Sequence, residues 1–258
     1  MYKIFFSFLI LLTDFTTMAQ PNNPVIAHRG AWKYRRLPEN SIASLLAAIE
    51  MGCGGSEFDV RMTADDSLII NHDSSYHELP IEQTKYKDLF KLPLSNGEKL
   101  PTLREYLLAG TKEIHPTKLI IEIKPSEVSK ERGKRIARKV VSLVHELNIQ
   151  ARVAYISFDY DILLEILKTD KQAITQYLEG DKLPLQLKKD GIAGCDYHYS
   201  VYREHPDWIT LAKQQQLMLN VWTVNEEENL RWALEKGFDQ ITTNYPEAAI
   251  ALLLSEGK

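Results

Sequence analysis

Apolar residues in this chain recur as short, nearly unbroken runs, each followed by a stretch in which they return every three to four positions. The runs Val25–His28, Gly55–Val60, Lys118–Ile123 and Val153–Ser157 read as strands. So do Ala173–Tyr177, Gly191–Cys195, Met218–Trp222 and Gln240–Thr242. Helical spacing follows over Ser41–Met51, Lys130–Leu147, Asp161–Lys168, Pro206–Gln215, Glu226–Lys236 and Pro246–Leu254. Asn40 is suited to cap the first of these helices, and Gly52 to end it. Strands without polar alternation are buried on both faces, as in a parallel sheet covered by helices. Eight such strand–helix units in 258 residues predict an α/β TIM barrel rather than an open doubly wound sheet.

One interval exceeds a minimal crossover. Between the second and third barrel strands, Leu68–Leu100 predicts a small insertion. It holds a short strand at Leu68–Asn71, a helical turn at Tyr86–Leu92 and a Ser95-Asn96-Gly97 turn. Thr102–Ala109 then reads as the returning helix. Loops after barrel strands usually shape access to a site.

Composition narrows the class. A hydrophobic share of 44% and a charged share of 26% are ordinary for a globular chain. The formal charge of −4 argues against a nucleic-acid partner or an anionic membrane surface. Residues 1–19 read as a cleaved leader: Lys3 gives a cationic start, Ile4 to Leu12 is apolar, and Thr17-Met18-Ala19 precedes a plausible cut before Gln20. The apolar run is too short for a bilayer span, which needs roughly 20 residues. Residues 20–258 are then one domain, exported to a periplasm or secreted, and its oligomeric state stays open. Cys53 and Cys195 read as unpaired, buried small residues.

Chemistry concentrates where barrel strands end. The first strand ends His28-Arg29-Gly30, the second carries Glu57 and Asp59, and the third carries Glu122 and Lys124. Residues two apart on a strand share a face. Asn71-His72-Asp73 and Trp222-Thr223-Val224-Asn225 end two further segments. Three carboxylates side by side are costly unless a cation neutralises them, and an all-oxygen set favours Ca²⁺ or Mg²⁺ over zinc. Two imidazoles beside such an ion supply the proton acceptor and donor that phosphodiester cleavage needs. Arg29 and Lys124 would hold the phosphate of a small-molecule substrate.

At these residues the sequence resembles the glycerophosphodiester phosphodiesterase family. The similarity is carried by His28-Arg29-Gly30 with Pro38-Glu39-Asn40-Ser41, by Gly52 to Val60 (GCGGSEFDV) and by Asn71-His72-Asp73. Leu119 to Lys124 (LIIEIK), Val221 to Asn225 (VWTVN) and Gly237 to Pro246 (GFDQITTNYP) extend it to the end of the chain. The resemblance implies His28 and His72 as the acid/base pair and Glu57, Asp59 and Glu122 as metal ligands. It implies Arg29 and Lys124 as phosphate contacts, Trp222 as a substrate-facing wall, and a glycerol hydroxyl as an internal nucleophile giving a cyclic phosphate. The implied reaction is hydrolysis of a glycerophosphodiester to glycerol phosphate and an alcohol.

Rival readings stand beside this one. The same barrel would serve a glycerophosphoinositol or a phospholipid headgroup, or bind phosphorylated headgroups without cleaving them. Asn244, where the family usually carries an acidic residue, bears on alcohol specificity in this reading, as do Cys53, Gly54, Ser56 and Ser74–Glu78. Arg61, Arg29 or Lys124 are candidate ion-pair partners for the carboxylates. Asn225 is suited to cap the helix that follows it. Asp196, Tyr197 and His198 follow the sixth strand, within reach of substrate but without a motif. His77, His115, His145 and His205 read as loop or helix-surface residues.

Overall fold

The computed structural model describes residues 23–255, so the leader expected over residues 1–19 lies outside the described residues. The order begins β1 (Val25–Ala27), α1 (Ile42–Glu50), β2 (Gly55–Met62), β3 (Leu68–Ile70), β4 (Ser75–Tyr76) and β5 (Leu79–Pro80). It runs on through α2 (Tyr86–Leu89), α3 (Leu103–Thr111), β6 (Lys118–Ile123), α4 (Lys130–Glu146), β7 (Val153–Ser157) and α5 (Tyr160–Thr169). Next come β8 (Thr175–Tyr177), α6 (Pro184–Lys189), β9 (Gly194–His198), α7 (Tyr199–Glu204) and α8 (Asp207–Gln214). The last are β10 (Met218–Trp222), α9 (Glu227–Lys236), β11 (Gln240–Thr243) and α10 (Pro246–Ser255).

Eight parallel strands close on themselves. In order around the barrel they are β1, β2, β6, β7, β8, β9, β10 and β11, and β11 pairs back to β1. Alternation decides which side chains enter. Phe58, Val60, Ile121, Ile123, Tyr197 and Val221 join the main core between the sheet and its helices. Phe58, for example, packs its ring 4.4 Å from that of Tyr106 on α3. Residues one position away face the barrel axis, where Ile26, Ile120, Ala154, Ile156 and Leu178 form a smaller apolar cluster. Glu57, Asp59, Glu122, Asp196 and Asn220 share that inward parity.

Three local expectations are corrected. The sixth barrel strand is Gly194–His198 instead of Gly191–Cys195. Gly191, at φ +81°, ends α6, and Ile192 donates its N–H back to Leu187 O, so the chain turns before it extends. Six residues give α6 too little periodicity to stand out. The cap of α1 is Ser41, whose hydroxyl accepts from Ser44 N, while Asn40 turns inward. Asn225 leaves α9 without a side-chain cap and accepts instead from Asn244 N at 3.0 Å. Both cysteines are free and buried, as expected.

Between β2 and β6, β3 pairs antiparallel with β2 and β4 forms a hairpin with β5. Ile69, Tyr76, Ile81, Leu89 and Leu100 give this segment its own small core. Glu82 ties it to the barrel, accepting from Arg132 Nε at 2.9 Å and from Ser126 Oγ and Glu127 N at 2.8 Å. That anchorage holds His72 at the barrel mouth, where Arg61 Nε donates to His72 O at 2.9 Å. Arg61 is therefore not the partner of the inward carboxylates.

Candidate active site

The turn after β1 is built to present its backbone as well as its side chains. Arg29 has φ +57°, and its amide N–H donates to Glu57 Oε2 at 2.8 Å. Gly30 follows at φ +82°, and a Cβ there would run into Ser44. Only glycine fits both constraints without strain. Arg29 Nη1 is paired with Glu39 at 2.8 Å, and its Nε lies 3.7 Å from Asp59 Oδ2.

Glu57, Asp59 and Glu122 each offer an oxygen within 4.8 Å of the others, and all three are buried. Among the described residues this is the group with metal-ligand spacing. Burial, with Asp59 and Glu122 nearby, pushes the Glu57 carboxyl well above the usual carboxylate range. Burial and Asp59 raise Glu122 from 4.5 to about 7, against the pull of Lys124. Asp59 goes the other way: burial would raise it, but Lys124, His72, Asn40 and Arg29 together hold it low. Lys124 Nζ sits 2.6 Å from Glu122 Oε1 and 3.1 Å from Asp59 Oδ1. Asn40 Nδ2 donates to Asp59 Oδ2 at 2.8 Å, and Asp59 N donates to Asn40 Oδ1 at 3.1 Å.

Glu57 Oε1 is buried with no hydrogen-bond partner among the described residues. An orphaned carboxylate oxygen beside two more carboxylates is expensive without a counter-charge. The oxygen set fits a hard divalent cation.

The two histidines differ in setting. His28 is pinned by Asn244, whose Oδ1 accepts from Nδ1–H at 2.7 Å, so Nε2 is the unprotonated nitrogen, 3.9 Å from Glu57 Oε2. Burial and Arg29 lower His28 to about 4, so its imidazole is neutral at neutral pH. His72 stands nearer solvent with Nδ1 2.8 Å from Asp73 Oδ1. Asn244 thus acts on the imidazole of His28. His77, His115, His145 and His205 are absent from the lining of the cavity between the two histidines.

That cavity has a volume of about 130 Å³. His28, Arg29, Glu57, His72, Glu122 and Lys124 line one half, with Asp59 beside them. Ile156, Phe158, Leu178 and Trp222 line the other, above Asp196. The Trp222 ring meets Phe158 edge-on at 5.5 Å and its Nε1 donates to Asp196 O at 2.8 Å. Of the three residues expected after the sixth strand, Asp196 enters this cavity, whereas Tyr197 turns outward and donates to Lys182 O. His198 packs its ring 5.2 Å from that of Trp222 and holds Ser200. A larger cavity of about 590 Å³ lies at the opposite mouth, at the starts of β6, β7, β10 and β11. It contains none of the histidines or carboxylates described, so size does not identify the reactive site.

Sequence reasoning reached the histidines, carboxylates, Arg29, Lys124 and Trp222, and the fold brings them together. It missed the hold of Asn40 on Asp59 and of Asn244 on His28, since neither contact has a local pattern. Phe158 carried no signal beyond its place one residue past a strand.

Known proteins resemble this chain along most of its length. The model of the glycerophosphoryl diester phosphodiesterase family matches residues 28–248. A crystal structure of a glycerophosphodiester phosphodiesterase from Parabacteroides distasonis superposes with a TM-score of 0.88 at 40% identity, covering 92% of this chain and 99% of that one. A glycerophosphodiester phosphodiesterase of Caldanaerobacter subterraneus is 28% identical over 250 residues, 90% of this chain and 98% of its own. An Oleispira antarctica phosphodiesterase, solved in complex with the product sn-glycerol-3-phosphate, shares the fold with a TM-score of 0.75 at 24% identity, covering 88% of this chain and 96% of that one.

Proposed function

Because the chain belongs to the glycerophosphoryl diester phosphodiesterase family, we propose that it hydrolyses glycerophosphodiesters to glycerol phosphate and an alcohol by proton transfer through His28 and His72. The observation that carries the reading is the convergence of both histidines, Glu57 and Glu122 on one cavity of about 130 Å³, with Asp59 alongside. Glu57, Asp59 and Glu122 would hold one divalent ion, and their all-oxygen chemistry favours Ca²⁺ or Mg²⁺. Such an ion supplies positive charge beside the phosphate and acidifies a nearby hydroxyl.

The remaining work falls to the chain itself. Arg29 and Lys124 contact phosphate oxygens and stabilise the charge that grows on them. His28, neutral and fixed in one tautomer by Asn244, takes the proton of the attacking hydroxyl at Nε2. His72, at the more open side, gives a proton to the departing alkoxide, and water then opens the resulting cyclic phosphate to glycerol phosphate with the two proton-transfer roles reversed. Trp222 and Phe158 form a dry wall against the organic part of the substrate. The apolar leader at residues 1–19 supports export of the enzyme, to a periplasm or beyond the cell.

Glycerol phosphate release from a panel of glycerophosphodiesters tests the reading, measured after chelation and after return of Ca²⁺ or Mg²⁺. Turnover that vanishes with chelator and returns with either ion is the expected outcome. A folded protein inactive on every diester with every ion sinks the proposal in favour of headgroup binding. The Asn40–Asp59 contact adds a narrower expectation. Asn40→Ala should weaken divalent-ion affinity by ~10- to 100-fold, the usual cost of losing a group that orients a ligand, as titration calorimetry would read. Unchanged affinity would show that Asp59 needs no such support.

A further inference from the structure

We infer that Asp196 is a specificity-determining residue that accepts a hydrogen bond from the terminal hydroxyl of the substrate's glycerol group. The inference rests on the glycerophosphodiesterase reading and refines it. Strand β9 alternates so that Cys195 and Tyr197 join the outer core while Asp196 faces the barrel axis. Asp196 is 1% exposed, and its Oδ1 has no hydrogen-bond partner among the described residues. Burial and then Glu122 push its carboxyl well above the usual carboxylate range, and the opposing pull of Asn220, its register partner on β10, does not reverse this. A buried carboxyl oxygen without a partner costs stability, and in the wall of a cavity a ligand hydroxyl can offset that cost.

The surroundings say which ligand. The charged half of the cavity is taken by the groups suited to a phosphate, so the organic group attached to that phosphate extends over Ile156, Phe158, Leu178 and Trp222. Asp196 is the ionisable side chain on that side. The cavity, about 130 Å³ in all, is shared between the phosphate and this organic group, which favours a small polyol over an acyl chain. The variable alcohol belongs instead at the open side, beside the more exposed His72. Trp222 Nε1 donates to the carbonyl of Asp196, which ties the aromatic wall to the strand that carries the carboxyl.

The test compares two diesters with the same leaving alcohol on the ion-loaded enzyme. One carries glycerol; the other is its deoxy counterpart, which keeps the hydroxyl next to the phosphoester and lacks the terminal one. The wild-type enzyme is expected to favour the glycerol diester in kcat/KM by about 10- to 100-fold. Asp196→Ala should erase that preference by losing rate on the glycerol diester alone, and Asp196→Asn, which keeps an acceptor oxygen, should retain part of it. Equal wild-type rates on the two diesters overturn the inference without any variant, as does an equal loss on both in Asp196→Ala. A wild-type enzyme that cleaves neither diester would instead remove the functional reading on which the inference stands.

Discussion

His28→Ala is expected to lower kcat by ~10²- to 10⁴-fold, the usual contribution of one positioned acid or base, and His72→Ala to do the same on natural diesters. The two variants should part company when the leaving group changes. An alkoxide departs only with a proton, whereas a nitrophenolate departs without one. On a p-nitrophenyl diester the loss from His72→Ala should therefore shrink towards none, while the loss from His28→Ala persists. The asymmetry follows from the site: His28 is buried, neutral and held at Nδ1 by Asn244, whereas His72 stands near solvent beside Asp73. Equal losses for both variants on both leaving groups would refute the division of roles. Full metal-dependent turnover in either variant on a natural diester would remove that histidine from the chemistry.

Glu122→Gln is expected to abolish ion-dependent turnover and yet make the metal-free protein more stable above neutral pH. Glu122 has a folded pKa of about 7 against an ordinary 4.5, because burial and Asp59 disfavour its charge. The cost is absent below the unfolded pKa, where both states are protonated, and complete above the folded one. At about 1.4 kcal/mol per pKa unit the full cost is roughly 3 kcal/mol, which in a chain this size corresponds to about 6–12 °C in Tm.

The measurement must be the difference between variant and wild type. His28, lowered to about 4 from 6.5, makes the metal-free protein lose stability as pH falls through nearly the same window, and so masks the trend in wild type alone. Asp59, held below its ordinary 3.8, adds stability that is lost only at lower pH. Thermal melts from pH 4 to 8 should thus show a Tm advantage for Glu122→Gln that opens between about 4.5 and 7. Added Ca²⁺ or Mg²⁺ should reverse it, since wild type gains a bound ligand that the variant holds poorly. A variant less stable than wild type without metal at pH 8 would show that Lys124 already compensates the triad.

Most of this site could be read along single strands. Glu57 and Asp59, or Glu122 and Lys124, are two apart in near-continuous apolar runs, and a period of two sends both members of each pair to one face. The eight-strand barrel was legible for the same reason, because its strands are rich in apolar residues and its longer helices have clear stripes. Boundaries failed where short-range signals compete. Gly191 looked like the start of a strand and is the left-handed end of α6. Asn40 and Asn225 have the chemistry of helix caps, yet their amides hold Asp59 and the backbone of Asn244.

What remained hidden depends on which strands become neighbours when the barrel closes. His28 and Asn244 are 216 positions apart and meet because β1 pairs with β11. Asn40 reaches Asp59 because the turn after β1 crosses over β2. Asp196 carries no motif, and its burial with an unpartnered oxygen exists only once β8, β9 and β10 stand side by side. Periodicity is a property of one segment and survives without partners. Desolvation, charge coupling and hydrogen-bond completion are properties of pairs, so they come into being only with the closed barrel.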